Sequence, residues 1–315
     1  MVTGGSGSIA FLFPGQASQR AGMATDLLAE EPAAQSIFRQ AGEILGLNLA
    51  ELCTRGSEAA LMRTDITQPA LLTTCIGWLS ALRARGLIPH MLAGHSLGEF
   101  SAWVASGALD FEPALRLVRR RGEIMEDAAR RNPGGMLAVI GLPDSKVADL
   151  CEQAKAAGVV VPANFNSPGQ VVVSGQPAAL DELAAAVKTA GGRTIPLRVS
   201  GAFHSPLMED AGHVFAGLVA EAPVKSPQTP VIANASAEPV TDEDGARRAM
   251  TDQMTNPVLW STSVRRMIAD GADLFVEVGP GRVLTKLIPR IAADTRVLSV
   301  GTGAELQTLL QEVKL

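Results

Sequence analysis

Between Met91 and Ala105 a short apolar run, Met91 to Gly94, breaks without a linker into helical spacing that begins at Leu97. The junction reads Gly94-His95-Ser96-Leu97-Gly98, a G-x-S-x-G pattern whose glycines let a strand turn sharply into a helix and expose the serine between them. A buried strand feeding straight into a helix is the repeating unit of a parallel α/β sheet, so this junction narrows the fold class sharply. A second apolar run, Ile9 to Phe13, closes at Pro14-Gly15 and reads as a neighbouring strand. Thr67 to Arg85 and about Glu112 to Ala129 carry the three- and four-residue recurrence of helices. After Ser205, strand-like runs at Val231 to Ala233, Leu274 to Val278 and Val297 to Val300 alternate with helical periods. The sheet should therefore draw its strands from both ends of the chain.

The middle follows another pattern. Past the turn signal Asn132-Pro133-Gly134-Gly135, a strand (Met136 to Ile140) and a helix (Asp144 to Ala156) precede two strands (Val159 to Ala163, Gln170 to Ser174). A helix (Ala178 to Ala190) and a strand (Arg193 to Leu197) complete a β-α-β-β-α-β order, the ferredoxin-like arrangement. The expected organisation is a large α/β domain built from residues 9–133 and 200–315, with a small ferredoxin-like domain inserted at 134–199. Residues 1–8, rich in glycine and serine, read as a flexible N-terminus.

Composition excludes several function classes. A net charge of -5 with 4% aromatic residues argues against a nucleic-acid surface, which would cluster basic and stacking side chains. No run approaches the roughly 18 apolar residues of a membrane span, and the start lacks a basic segment followed by an apolar one, so the chain reads as cytosolic, away from any membrane. Cys53, Cys75 and Cys151 are far apart and odd in number; buried thiols are expected, and no metal site.

Ser96 is the candidate nucleophile. At a helix N-terminus the Leu97 amide has no helical partner, and the helix dipole suits a forming oxyanion. A serine needs a base, and four histidines are available: His90, His95, His204 and His213. His95 neighbours the serine at a tight elbow and should support the turn. His213 falls on the polar side of a helix whose apolar face is read as Leu207, Met208, Ala211, Val214, Phe215, Leu218 and Val219. His90 has no distinguishing neighbour. His204 precedes Ser205-Pro206, a cap followed by a first-turn proline, and the positive end of that helix favours the neutral imidazole a base requires. In the helix carrying Arg119-Arg120-Arg121, Arg119 can pair with Glu123 towards solvent, whereas Arg121 shares a face with Leu117, Val118, Ile124 and Met125. An inward arginine is either half of a buried ion pair or a fork for a carboxylate that comes and goes.

Together these residues closely resemble the malonyl-CoA:acyl carrier protein transacylase family, including free-standing acyltransferases of polyketide assembly lines. The resemblance runs from about Ile9 to Leu298 through Phe13-Pro14-Gly15-Gln16-Ala17-Ser18-Gln19, Thr67-Gln68-Pro69-Ala70, Gly94 to Glu99 and Arg121-Gly122. It continues through Asn164-Phe165-Asn166-Ser167-Pro168, Ala202-Phe203-His204-Ser205, Gln253-Met254-Thr255-Asn256-Pro257-Val258 and Glu277-Val278-Gly279-Pro280-Gly281. It implies an α/β-hydrolase-like large domain with a ferredoxin-like insertion. It implies Ser96 as nucleophile, His204 as base, the Gln16 and Leu97 amides as oxyanion hole, and Arg121, with Gln68 nearby, as receptor for the malonyl carboxylate. Asn166 and Phe203 are implied substrate contacts, Phe203 favouring malonyl over methylmalonyl units, and the Gln253 carbonyl would orient His204 in place of an acid. Ala17 stands where many members have glycine.

The implied reaction moves malonyl from malonyl-CoA through a serine ester to the phosphopantetheine thiol of an acyl carrier protein, with no resident cofactor. Carriers in these pathways are generally acidic, which makes Lys188, Arg193, Lys286 and Arg290 candidate docking residues. An esterase on the same elbow is a rival that Arg121 speaks against, and a silent docking module is one that Ser96 and His204 speak against.

Overall fold

A computed structural model describes residues 8–313. The segment expected to be flexible, 1–8, lies outside the described residues except for Ser8, which opens the first strand.

The strands are β1 (Ser8–Phe13), β2 (Met91–Gly94), β3 (Gly135–Ile140), β4 (Val160–Ser167), β5 (Gln170–Gly175), β6 (Arg193–Pro196), β7 (Val231–Ile232), β8 (Pro239–Val240), β9 (Ala272–Val278) and β10 (Arg296–Val300). One sheet has the order β10-β9-β1-β2-β7-β8, parallel throughout except for the last pair. The other, β4-β5-β3-β6, is antiparallel and carries the helices Asp144–Ala154 and Pro177–Thr189, which gives the ferredoxin-like order.

β1 lies at the centre of the large sheet and shows why its sequence is almost wholly apolar: Ala10 through Phe13 are all buried, with alternate residues facing opposite layers. Phe11 and Phe13 join the core of Trp78, Trp103 and Phe215, while Ala10 and Leu12 meet Trp260, Phe275 and Leu284 on the other face.

The helices Thr64–Ala84 and Phe111–Arg131 pack closely against each other: a Cβ at Gly122 would come within 2.7 Å of the Thr64 carbonyl. Pro69 sits inside the first of them and has no N–H for the carbonyl four residues earlier. That carbonyl, on Asp65, accepts instead from Arg119 at 2.8 Å, and Arg119 also pairs with Glu123 at 2.7 Å. Arg119 thus has a structural task beyond the surface pair expected of it.

One expected face needs correction. Val214 is 54% exposed, because the buried strip of its helix follows Ala211, Phe215 and Val219 at four-residue intervals and Val214 falls about 100° to one side. His213 is exposed, as its polar position predicts. Among the described residues no helix is long and apolar enough to cross a membrane, and no group of three or more His, Cys, Asp or Glu is placed to hold a metal ion.

Candidate active site

β2 ends at the elbow. A Cβ at Gly94 would lie 2.0 Å from the Gly98 carbonyl carbon, and one at Gly98 would lie 2.0 Å from the Phe13 carbonyl oxygen, so side chains at either position would drive the strand and helix apart. Ser96 between them is held at φ 50, a left-handed conformation that costs a non-glycine residue on the order of 1–2 kcal/mol. Two carboxamides hold it there. The Ser96 N–H donates to Asn234 Oδ1 at 2.7 Å, and the Ser96 carbonyl accepts from Gln253 Nε2 at 2.8 Å. Asn234 also donates through Nδ2 to the Gly94 carbonyl at 2.6 Å, closing the elbow from both sides.

Ser96 Oγ lies 2.7 Å from His204 Nε2. The other ring nitrogen, Nδ1, faces the Gln253 carbonyl at 2.9 Å and the Asn256 carbonyl at 3.1 Å. Carbonyls only accept, so Nδ1 carries the proton and Nε2 presents its lone pair to the serine hydroxyl. His204 is also left-handed, at φ 57, and Ser205 caps the following turn by accepting from the Leu207 N–H at 3.3 Å. That turn, Pro206–Met208, is a single 3-10 turn leading into the helix Glu209–Glu221.

Burial pushes the His204 imidazole down to about 3, helped by the positive charge of Arg121 and by His95, so the ring is neutral at pH 7. The sign of the resulting pH dependence follows. Between pH 6.5 and about 3 the unfolded chain holds a proton on His204 that the folded chain does not, so this share of stability is present above pH 6.5 and is lost as the pH falls through that window. Urea unfolding of the wild type should therefore weaken more steeply from pH 6.5 downward than that of His204→Gln. Parallel profiles would contradict the buried neutral imidazole.

Arg121 is 1% exposed and lies beside Ser96. Its NH1 donates to Gln68 Oε1 at 3.0 Å, its NH2 to Gln253 Oε1 at 2.8 Å, and NH2 lies 3.5 Å from Ser96 Oγ. Nε is buried without a partner, and the guanidinium carbon stands 5.6 Å over the Phe100 ring. Among the described residues no carboxylate forms an ion pair with it. Burial lowers this guanidinium to about 10, opposed by Glu99, so it remains charged.

A cleft of about 320 Å³ opens over this floor, lined by Gln16, Ala17, His95, Ser96, Phe203 and His204 among others. Arg121, Gln68 and Gln253 lie behind that lining rather than in it, reaching the cleft only beside Ser96 Oγ. Among the described residues neither the Gln16 nor the Leu97 amide donates a hydrogen bond, which leaves both free for an oxyanion. Phe203 is 4% exposed, and a Cβ on Gly201 would meet Ala129 Cβ at 2.6 Å and the Phe203 ring at 3.3 Å, so Gly201 lets the ring pack rather than leaving room beside it. Asn166 stands apart from the cleft: its Oδ1 meets His95 Nε2 at 2.8 Å, holding a ring tilted against Trp260. Ala17 adopts φ 81, the conformation for which glycine is the unstrained choice.

Three residues of the site carry no signal that the sequence reading used. Asn256 supplies a carbonyl, which any residue could supply. Asn234 follows the end of a parallel strand, the edge where α/β sheets place their ligand-binding groups. Glu99 was visible as the sixth residue of the elbow motif, without a role.

A family model described as Acyl transferase domain matches residues 10–303. The malonyl CoA-acyl carrier protein transacylase of Escherichia coli is 43% identical over 292 residues, 92% of this chain and 94% of that protein. Its namesake in Bacillus subtilis is 37% identical over 308 residues, 97% of each. Among solved structures, an acyl-carrier-protein S-malonyltransferase from Burkholderia pseudomallei superposes with a TM-score of 0.94 at 36% identity, covering 96% of this chain and 99% of that one. A malonyl-transacylase in complex with a type II PKS acyl-carrier protein gives a TM-score of 0.94 at 37% identity, with 97% and 99% covered.

Proposed function

Because the chain belongs to the malonyl CoA-acyl carrier protein transacylase family, we propose that it transfers malonyl from malonyl-CoA to the phosphopantetheine thiol of an acyl carrier protein, in fatty acid or polyketide synthesis. The observation that carries this reading is the buried, carboxylate-free guanidinium of Arg121 beside Ser96 Oγ. An acyl group esterified to Ser96 and ending in a carboxylate would reach it, whereas an apolar acyl group would leave its charge unpaired.

Ser96 Oγ attacks the thioester carbon while its proton passes to His204 Nε2, and the Gln16 and Leu97 amides receive the oxyanion. The C–S bond breaks and coenzyme A leaves with the proton from His204. In the second half the carrier thiol gives its proton to His204 and attacks the ester, and Ser96 Oγ recovers the proton as it leaves. No resident cofactor enters these steps. In this proposal Ser96 is the nucleophile, His204 the base, Gln16 and Leu97 the oxyanion hole, Arg121 with Gln68 the carboxylate receptor and Gln253 the residue that orients His204; Phe203 contacts the acyl group, and Asn166 bears on the cleft only through His95. Cytoplasmic residence and the domain limits 9–133 with 200–315 and 134–199 belong to it too. Lys188, Arg193, Lys286 and Arg290 are exposed and remain the proposed carrier contacts.

Intact-mass measurement after incubation with malonyl-, methylmalonyl- and acetyl-CoA tests the reading. One malonyl mass on the protein, discharged by a holo carrier, is expected, and a chain that loads none of them would refute it. His204→Ala should slow acylation on the order of a hundredfold or more, as loss of a positioned base does; a near-normal rate would remove His204 from the mechanism. Phe203, packed into the cleft wall, should crowd an α-methyl group. A pocket short by one methyl discriminates by roughly 1–3 kcal/mol, about 10- to 200-fold. Phe203→Ser is expected to narrow the ratio of kcat/KM for malonyl-CoA over methylmalonyl-CoA, and equal wild-type values would show that this ring does not set the limit.

A further inference from the structure

Glu99 lies on the first turn of the helix Gly98–Ala105, three residues past the nucleophile, and is fully buried. Its Oε1 accepts from the Asn234 N–H at 3.3 Å and its Oε2 accepts from Gln253 Nε2. Burial pushes the Glu99 carboxyl up to about 8, against the pull of Gln253, Asn234 and Arg121; both hydrogen-bond partners are donors, so it is the ionised form that satisfies both oxygens. Asn234 and Gln253 are also the two residues whose carboxamides hold the Ser96 N–H and carbonyl. Gln253 in addition turns its Oε1 to Arg121 and its main-chain carbonyl to His204. One buried carboxyl therefore underlies the nucleophile, the base and the arginine together.

A guanidinium buried without a countercharge is strongly destabilising, but a carboxylate in direct contact would occupy the N–H groups that a substrate carboxylate needs. Coulomb attraction falls only as the inverse of distance, whereas a hydrogen bond requires contact. A carboxylate set back by one carboxamide keeps much of the first effect and avoids the second. We propose that Glu99 is a specificity-determining positioning residue: held one carboxamide away from Arg121 by Gln253, its carboxylate supplies the countercharge that allows the guanidinium to be buried while leaving its remaining N–H groups free for the acyl carboxylate. The fixed direction of the Gln253 carboxamide follows from this arrangement. Its Nε2 is committed to Glu99 and Ser96, so only its oxygen can face Arg121.

This inference rests on Arg121 receiving the malonyl carboxylate, and the test separates the two. The double variant Glu99→Gln with Gln253→Glu keeps the number of charges and nearly the volume, but moves the carboxylate into direct contact with Arg121. Steady-state kinetics with malonyl-CoA and acetyl-CoA should show the malonyl-to-acetyl ratio of kcat/KM falling roughly tenfold or more, with the malonyl KM rising and the acetyl KM not, while loss of the Gln253 Nε2 donor to the Ser96 carbonyl lowers kcat for both substrates. An unchanged ratio in a folded double variant would overturn the proposal. Should that variant not fold, Glu99→Gln alone is expected to lower the malonyl KM severalfold by leaving Arg121 uncompensated, and so to raise the malonyl-to-acetyl ratio of kcat/KM. An unaltered malonyl KM there would equally overturn it. Failure of the wild type to prefer malonyl would instead strike the reading on which the inference rests.

Discussion

Ser96→Ala is expected to abolish the malonyl adduct and to reduce carrier malonylation by several orders of magnitude, the scale on which removing the nucleophile of a covalent mechanism acts. The fold should survive, because the Ser96 side chain makes its hydrogen bond to His204 while the elbow is held through the main chain by Asn234 and Gln253. Intact-mass analysis after incubation with malonyl-CoA reads the adduct, and circular dichroism reads the fold. An adduct that persisted in a folded Ser96→Ala protein would show that another residue is acylated. Cys75 is a poor alternative, because it is fully buried and burial pushes its thiol well above the ordinary range.

How much of this was legible in the sequence differs from element to element, for physical reasons. The central strand β1 and the strand of the elbow announce themselves because a strand buried on both faces must be apolar throughout. The β-α-β-β-α-β order was readable because each of its elements has one apolar face and a clear turn after it, beginning at Asn132-Pro133-Gly134-Gly135. Arg121 could be placed inward because three- and four-residue spacing fixes which side of a helix is buried; spacing could not say what it meets, since Gln68 and Gln253 come from elements 53 and 132 residues away. The partner of His204 was invisible to a search for acids, because main-chain carbonyls carry no residue signature. Only the family resemblance gave Gln253 a role, and Asn256 stood in the same motif without one. Val214 was misplaced because an apolar side chain at the edge of a helical stripe looks the same in sequence as one at its centre.

Arg121→Ala should reverse the enzyme's preference. Truncation removes the guanidinium beside Ser96 Oγ and leaves the Gln68 and Gln253 oxygens without their donor. Losing one partner of a buried, hydrogen-bonded charge pair costs about 2–5 kcal/mol, so kcat/KM for malonyl-CoA should fall by roughly 30- to 5,000-fold. Acetyl-CoA should gain relative to it, because the buried charge that an apolar acyl group leaves unpaired has gone. Arg121→Lys is expected to recover little, since a single ammonium on a flexible stem cannot reproduce the fork that meets two carboxamides and a carboxylate at once. The acylation rates of both variants with malonyl- and acetyl-CoA, compared with their thermal midpoints, decide between the two readings of an inward arginine. A large loss of stability with the malonyl preference intact would make Arg121 a member of a structural network. A lost preference in a stable protein would make it the receptor of the acyl carboxylate.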